Sequence, residues 1–149
     1  MIVDNDIYLH QQDILNLFEL WQLDPQRIIG IYGRLLKKQN DEWIYRFPEN
    51  NQYNIILTKM MILDSQYLGM FRCLLPKQIT NYITINKNCE DITMNLLVYG
   101  YTGKKPMRYK TLHSIIDTGI PNQKDYNSAL SNNPYYFPKS RSSCVNFFE

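Results

Sequence analysis

The run Arg27-Ile-Ile-Gly-Ile-Tyr-Gly-Arg-Leu-Leu-Lys-Lys38 constrains the fold more than any other stretch. Its β-branched and large apolar residues belong in a strand, yet it carries Gly30 and Gly33, three positions apart. Glycine packs nothing and costs entropy in a strand, so two of them imply a bend, a bulge or a close backbone approach. A phosphate-binding loop would need a fuller glycine pattern opening into a helix, and here the loop-like Gln39-Asn40-Asp41 follows instead. The run is therefore expected to be a strand that bends at its glycines.

The hydrophobic period around this run alternates between helical and extended. Before it, Ile14, Leu17, Phe18 and Trp21 recur at helical spacing, with Asp13 near the start and Pro25 beyond the end, which predicts a helix over Gln11–Leu23. After it come a polar turn and Glu42–Pro48, where Trp43, Tyr45 and Phe47 alternate with Ile44 and Arg46. Further extended segments are expected at Tyr53–Leu63, at Tyr67–Pro76 with a central Gly69, at Ile79–Asn86, and at Ile92–Tyr101. Helical spacing returns at Pro106–Asp117, where Tyr109, Leu112, Ile115 and Ile116 form a stripe, Pro106 suits a first turn and Gly119 a stop. Residues 120–149 are rich in Asn, Ser and Pro and read as a tail, although its aromatic pairs argue that it lies along a surface.

Five or six short strands at regular spacing, flanked by helices, suggest a mainly β chain. The expected architecture is a small barrel with an N-terminal and a C-terminal helix, whose glycines turn the corners. A chain of 149 residues suffices for one such domain, taken as residues 1–119, followed by the tail. No apolar run approaches the roughly 20 residues of a membrane helix, and the first ten residues lack the pattern of a secretory signal. Cys73, Cys89 and Cys144 are odd in number and widely spaced, which predicts free thiols in a reducing compartment. A net charge of +2 leaves any polyanion binding to a local patch.

No catalytic constellation stands out. His10 and His113 lack metal or nucleophile spacing, and the carboxylates Asp41-Glu42 and Glu90-Asp91 fall in expected turns, where solvated charge is the ordinary state. No metal site or cofactor is expected, and the chain reads as a non-enzyme. Basic and aromatic residues interleave on the early strands: Tyr32, Arg34, Lys37 and Lys38, then Trp43, Tyr45 and Arg46. Such a set can line a groove where bases stack, though strand alternation puts only part of it on one face.

The segments "IYGRL" at Ile31–Leu35 and "ILTKMMIL" at Ile56–Leu63, with "IYL" at Ile7–Leu9 and a C-terminal helix, resemble the small OB-fold subunits of telomeric Ctc–Stn–Ten (CST) assemblies. Those are similar in turn to the small subunit of replication protein A. The resemblance runs over Ile7–Asp117 and implies a five- to six-stranded OB-like barrel in a nuclear heterodimer. It implies a larger Stn-like OB-fold partner, held through Met107, Tyr109, Leu112, Ile115 and Ile116 on the C-terminal helix, with weak contact to single-stranded DNA. The alternative is a β-barrel protein–protein interaction module, viral or protist, without a nucleic-acid role.

Overall fold

A computed structural model describes residues 1–48, 50–118 and 136–148. In chain order these form β1 (Ile2–Val3), β2 (Ile7–Tyr8), α1 (Gln11–Gln22), β3 (Ile29–Gly30), β4 (Gly33–Gln39), β5 (Glu42–Arg46), β6 (Ile55–Ile56) and β7 (Met60–Ile62). There follow α2 (Gln66–Cys73), α3 (Lys77–Asn86), α4 (Glu90–Thr102), β8 (Met107–Arg108), β9 (Ile116–Asp117) and α5 (Tyr136–Phe148).

The strands make three small open sheets, ordered β1-β7-β3-β8, β2-β9 and β5-β4-β6. The expected OB barrel is not formed. Most strands are two or three residues long, too short to close on themselves, and three of the expected strands are helices. Tyr67–Pro76 becomes α2 because the Asp64 carboxylate accepts from Gln66 N–H and starts the helix, while Tyr67, Met70 and Phe71 share one face against the core. In α3 the alternating Ile and Thr mimicked a strand. Thr80 and Thr84 instead donate back to the carbonyls of Lys77 and Thr80, and Tyr82 and Ile83 pack inward. In α4 the buried Asp91, Asn95 and Val98 recur at helical spacing, so its continuous apolar run is a helix with one buried face, leaving Leu96, Tyr99 and Tyr101 exposed.

The β1-β7-β3-β8 sheet is covered on both faces, and strand alternation sorts its side chains. Ile29, Met60 and Ile62 meet Leu17 of α1, while Ile28, Met61 and Leu63 meet Tyr67 of α2 and Met94 and Val98 of α4. Gly30 sits in the middle. A Cβ there would clash with the carbonyl oxygen of Met60 and stand 2.5 Å from Ile56 Cγ2, so its glycine permits the close approach of β3 to β7. The bend of the run falls at Ile31-Tyr32, between the two glycines.

Three asparagine amides stand in for missing strand partners. Each accepts from the N–H and donates to the C=O of one backbone residue: Asn54 on Leu36, Asn95 on Ile56 and Asn146 on Trp43. Unpaired strand edges leave such groups open, and a side-chain amide satisfies both at once.

Residues 106–117 are not the expected helix. Their backbone is taken by other partners: Met107 N–H donates to Ile28 and Tyr109 N–H to Gly30, while Leu112 and His113 N–H donate to the Asp13 carboxylate. Burial raises the Asp13 carboxyl, but these bonds, with those from His113 Nδ1 and Tyr109 Oη, outweigh it and hold it well below the usual carboxylate range. The strap thus pinned to α1 ends in β9, which pairs with β2.

Within the expected tail, residues 136–148 form α5, which packs on β5. Cys89, ahead of α4, is bonded to Cys144 of α5 across 55 positions, whereas Cys73 is free and exposed. The expectation of three free thiols in a reducing compartment is therefore overturned, since such a bond persists in oxidising surroundings.

Gly30→Ala is expected to lower unfolding free energy by at least about 2 kcal/mol through overpacking. Gly69→Ala, on the open side of α2, should raise it by about 0.5–1 kcal/mol. Urea denaturation of the two variants checks both signs.

Candidate functional site

The turn between β6 and β7, Leu57-Thr58-Lys59-Met60, brings two sets of carboxylates together. On one side, β1 runs into Asp4-Asn5-Asp6, and Asp4 N–H donates to Lys59 O at 3.0 Å. Lys59 Nζ lies 2.9 Å from the Asp117 carboxylate of β9 and 3.9 Å from Asp6. Tyr32 Oη donates to the same Asp117 at 3.3 Å, and Lys59 Nζ stands 5.6 Å from the Tyr32 ring centroid. Burial and the charge of Asp117 push the Tyr32 phenol up to about 12.

On the other side, Thr58 Oγ1 donates to Glu90 at 3.3 Å, at the start of α4. Next to it, Asp91 is buried and receives Arg141 Nη1 of α5 at 2.5 Å and its neighbour Ile92 N–H at 2.7 Å. The Arg141 guanidinium also stands 5.2 Å from the centroid of the Tyr45 ring. Burial raises the Glu90 carboxyl, and the adjacent Asp91 charge adds to the effect. Burial would lower Arg141, but the Asp91 charge outweighs it and raises it. The two sets feel each other. Burial first, then Asp6, and further off Asp117 and Asp91 all raise Asp4, with only Lys59 opposing.

The balance of this site is acidic: Asp4, Asp6, Asp117, Glu90 and Asp91 face Lys59 and Arg141. Asp6 Oδ1 is buried without a hydrogen-bond partner. Among the described residues no group of three or more His, Cys, Asp or Glu side chains is arranged to hold a metal ion by itself. Asp4 and Asp6, two residues apart with an unmet oxygen and surplus negative charge, fit a divalent cation whose other ligands come from a bound molecule.

The residues singled out for strand binding do not converge. Tyr32 joins the acidic site. Arg34 donates to Gly33 O and lies over Phe47, while Lys37, Lys38 and Trp43 occupy the far end of the β4–β5 hairpin. Tyr45 is buried opposite Leu36, and Arg46 donates to Gln39. Of the proposed partner set, Met107, Tyr109 and Ile115 pack against the Leu17–Ile29 cluster, while Leu112 and Ile116 are exposed. Glu90-Asp91, expected as solvated charge in a turn, instead opens α4 with Asp91 buried, and the site also gathers Asp4-x-Asp6, of which the sequence raises no expectation. The usable signal was a carboxylate pair directly after an apolar segment, with a second pair opening a helix. Arg141, inside a polar tail, gave no signal of its own.

Removing one partner of the buried pair leaves the other charge uncompensated. Arg141→Met is expected to cost about 3–5 kcal/mol, and Asp91→Asn combined with it should recover part of that loss. Thermal melts of both singles and the double variant test this coupling.

The profile of the glycosyl transferase family 64 domain matches residues 1–149. The chain is 34% identical over 106 residues to the exostosin-like-3 homolog of Caenorhabditis elegans and 31% identical over 107 residues to human exostosin-2, covering 71% and 70% of this chain. To mouse exostosin-1 it is 29% identical over 148 residues, 98% of the chain. It spans only 13%, 15% and 19% of those relatives' lengths. These matches overturn the likeness to CST and replication protein A subunits. The single-stranded DNA, the telomeric heterodimer with a Stn-like partner, the nuclear location and the non-catalytic role fall with it, as does the interaction-module alternative. Apolar alternation around a few identities is common to many β segments, which is why the likeness misled.

Proposed function

The chain belongs to the glycosyl transferase family 64 domain family, and from that premise we propose that it carries the reaction centre of an exostosin-type glycosyltransferase. The observation that supports this most is the acidic site around the Leu57–Met60 turn, whose carboxylates come from three separate segments. Transfer from an activated donor forms a bond between an acceptor hydroxyl oxygen and the anomeric carbon. The bond from that carbon to a donor phosphate oxygen breaks, its electron pair stays on the phosphate, and the acceptor gives up its proton.

The chain's own groups divide this work. Asp4 and Asp6 are placed to hold a divalent cation, which when bound offsets phosphate charge. Asp91, held in place by Arg141 and Ile92 N–H, is the carboxylate set nearest the sugar as positive character develops on it. Glu90 has a raised carboxyl and a hydroxyl partner in Thr58, and it is suited to take the acceptor's proton. Cys89–Cys144 and the Asp91–Arg141 pair hold α5 against the start of α4, so these carboxylates do not drift apart.

Donor hydrolysis with Mn²⁺ present, followed by mass spectrometry across a panel of nucleoside diphosphate sugars, tests the proposal. One or more donors should be cleaved by the 149-residue chain, and Asp91→Asn should slow that cleavage by about 100-fold or more. Failure to turn over any donor, or an Asp91→Asn variant as fast as wild type, would contradict it.

A further inference from the structure

We infer that Lys59, aimed by Asp117, is a second positive group for the donor's departing phosphate; this rests on the transferase proposal above. Lys59 lies at a turn that touches both carboxylate sets. Its carbonyl is bonded to Asp4 N–H, its neighbour Thr58 is bonded to Glu90, and its ammonium reaches Asp117 and Asp6. A phosphate held beside Asp4 and Asp6 therefore arrives next to this ammonium.

Lys59 and Arg141 differ in what they can offer. Arg141 is buried and committed to Asp91, with 8% of its side chain exposed, whereas Lys59 keeps 24% exposed. An ammonium has three N–H donors; both Asp117 oxygens lie 2.9 Å from it and Asp6 lies beyond hydrogen-bond reach at 3.9 Å, so one donor remains for an incoming oxygen. Asp117 acts as the positioning residue. It is carried there by the strap that Asp13 pins to α1 and by the β2–β9 pairing, and Tyr32 Oη steadies it from the other side. When the carbon–oxygen bond breaks, the ammonium donates a hydrogen bond to the phosphate oxygen that takes the electron pair. No proton need be transferred.

The test is calorimetric titration of the 149-residue chain with uridine diphosphate and guanosine diphosphate in Mn²⁺, paired with electron paramagnetic resonance of Mn²⁺ alone. Lys59→Ala should weaken the diphosphate that wild type binds by about tenfold or more, and Lys59→Arg should stay within about threefold of wild type. Asp117→Asn should fall between them. Mn²⁺ affinity without nucleotide should hold or tighten in Lys59→Ala, because a competing charge has left Asp6. Unchanged diphosphate affinity in Lys59→Ala, or an equal loss of Mn²⁺ binding, overturns the role of Lys59 and leaves the transferase proposal standing. A wild-type chain that binds neither diphosphate overturns both.

Discussion

The buried pair of Asp91 and Arg141 is the contact on which the site depends. Taking two ions out of water costs several kcal/mol each, and such a pair persists only where geometry and extra hydrogen bonds repay it. Here Ile92 N–H completes Asp91, and the Tyr45 ring lies against Arg141. The pair fastens α5 to the first turn of α4 beside the Cys89–Cys144 bond. Once α5 is fixed, Asn146 and Ser142 satisfy the backbone of Trp43 and Tyr45, so the β4–β5 hairpin is braced by the same helix. The helix that Arg141 anchors to Asp91 thus also braces the edge of a sheet.

The rest follows from how short the strands are. Short strands and open sheet edges leave backbone groups unpaired, and the asparagines Asn95, on two-residue β6, and Asn54 and Asn146, on the edges of β4 and β5, meet that need. Asn95 does more, because its amide also donates to Asp91 O within α4. It therefore ties the helix that carries Glu90 and Asp91 to β6, one residue away from the turn that carries Thr58 and Lys59. On the opposite side, Asp13 collects a strap of backbone and leads Asp117 to Lys59. Acidic side chains far apart in sequence meet because each is attached to an element with a separate reason to be there.

Parts of this were legible in the sequence. The stripe Ile14, Leu17, Phe18 and Trp21 marks α1, and a polar turn between alternating aromatics marks the β4–β5 hairpin, because both patterns are local. The close approach at Gly30 was one of the meanings open to a glycine in a strand. The helices α2 to α4 were hidden, since β-branched and continuous apolar runs carry the same signal in a helix as in a strand; the Asp64 bond that opens α2 is local but reads equally as a turn residue, and the pairing of α4 through Asn95 is tertiary. Residues 106–117 show the reverse: a helical stripe overruled by the β3 edge and the Asp13 carboxylate. The site itself was the least legible. Asp4, Asp6, Glu90, Asp91, Asp117 and Arg141 lie up to 137 positions apart, and nothing short of the packed chain brings them to one turn.

The most direct test of this account is a crystal structure of the chain grown with Mn²⁺ and a nucleoside diphosphate. The phosphates are expected beside the Leu57–Met60 turn, with the cation on Asp4 and Asp6, and with Glu90 and Asp91 facing the end of the diphosphate where the sugar would be. Phosphates bound elsewhere, for instance along the β4–β5 hairpin, would contradict the account.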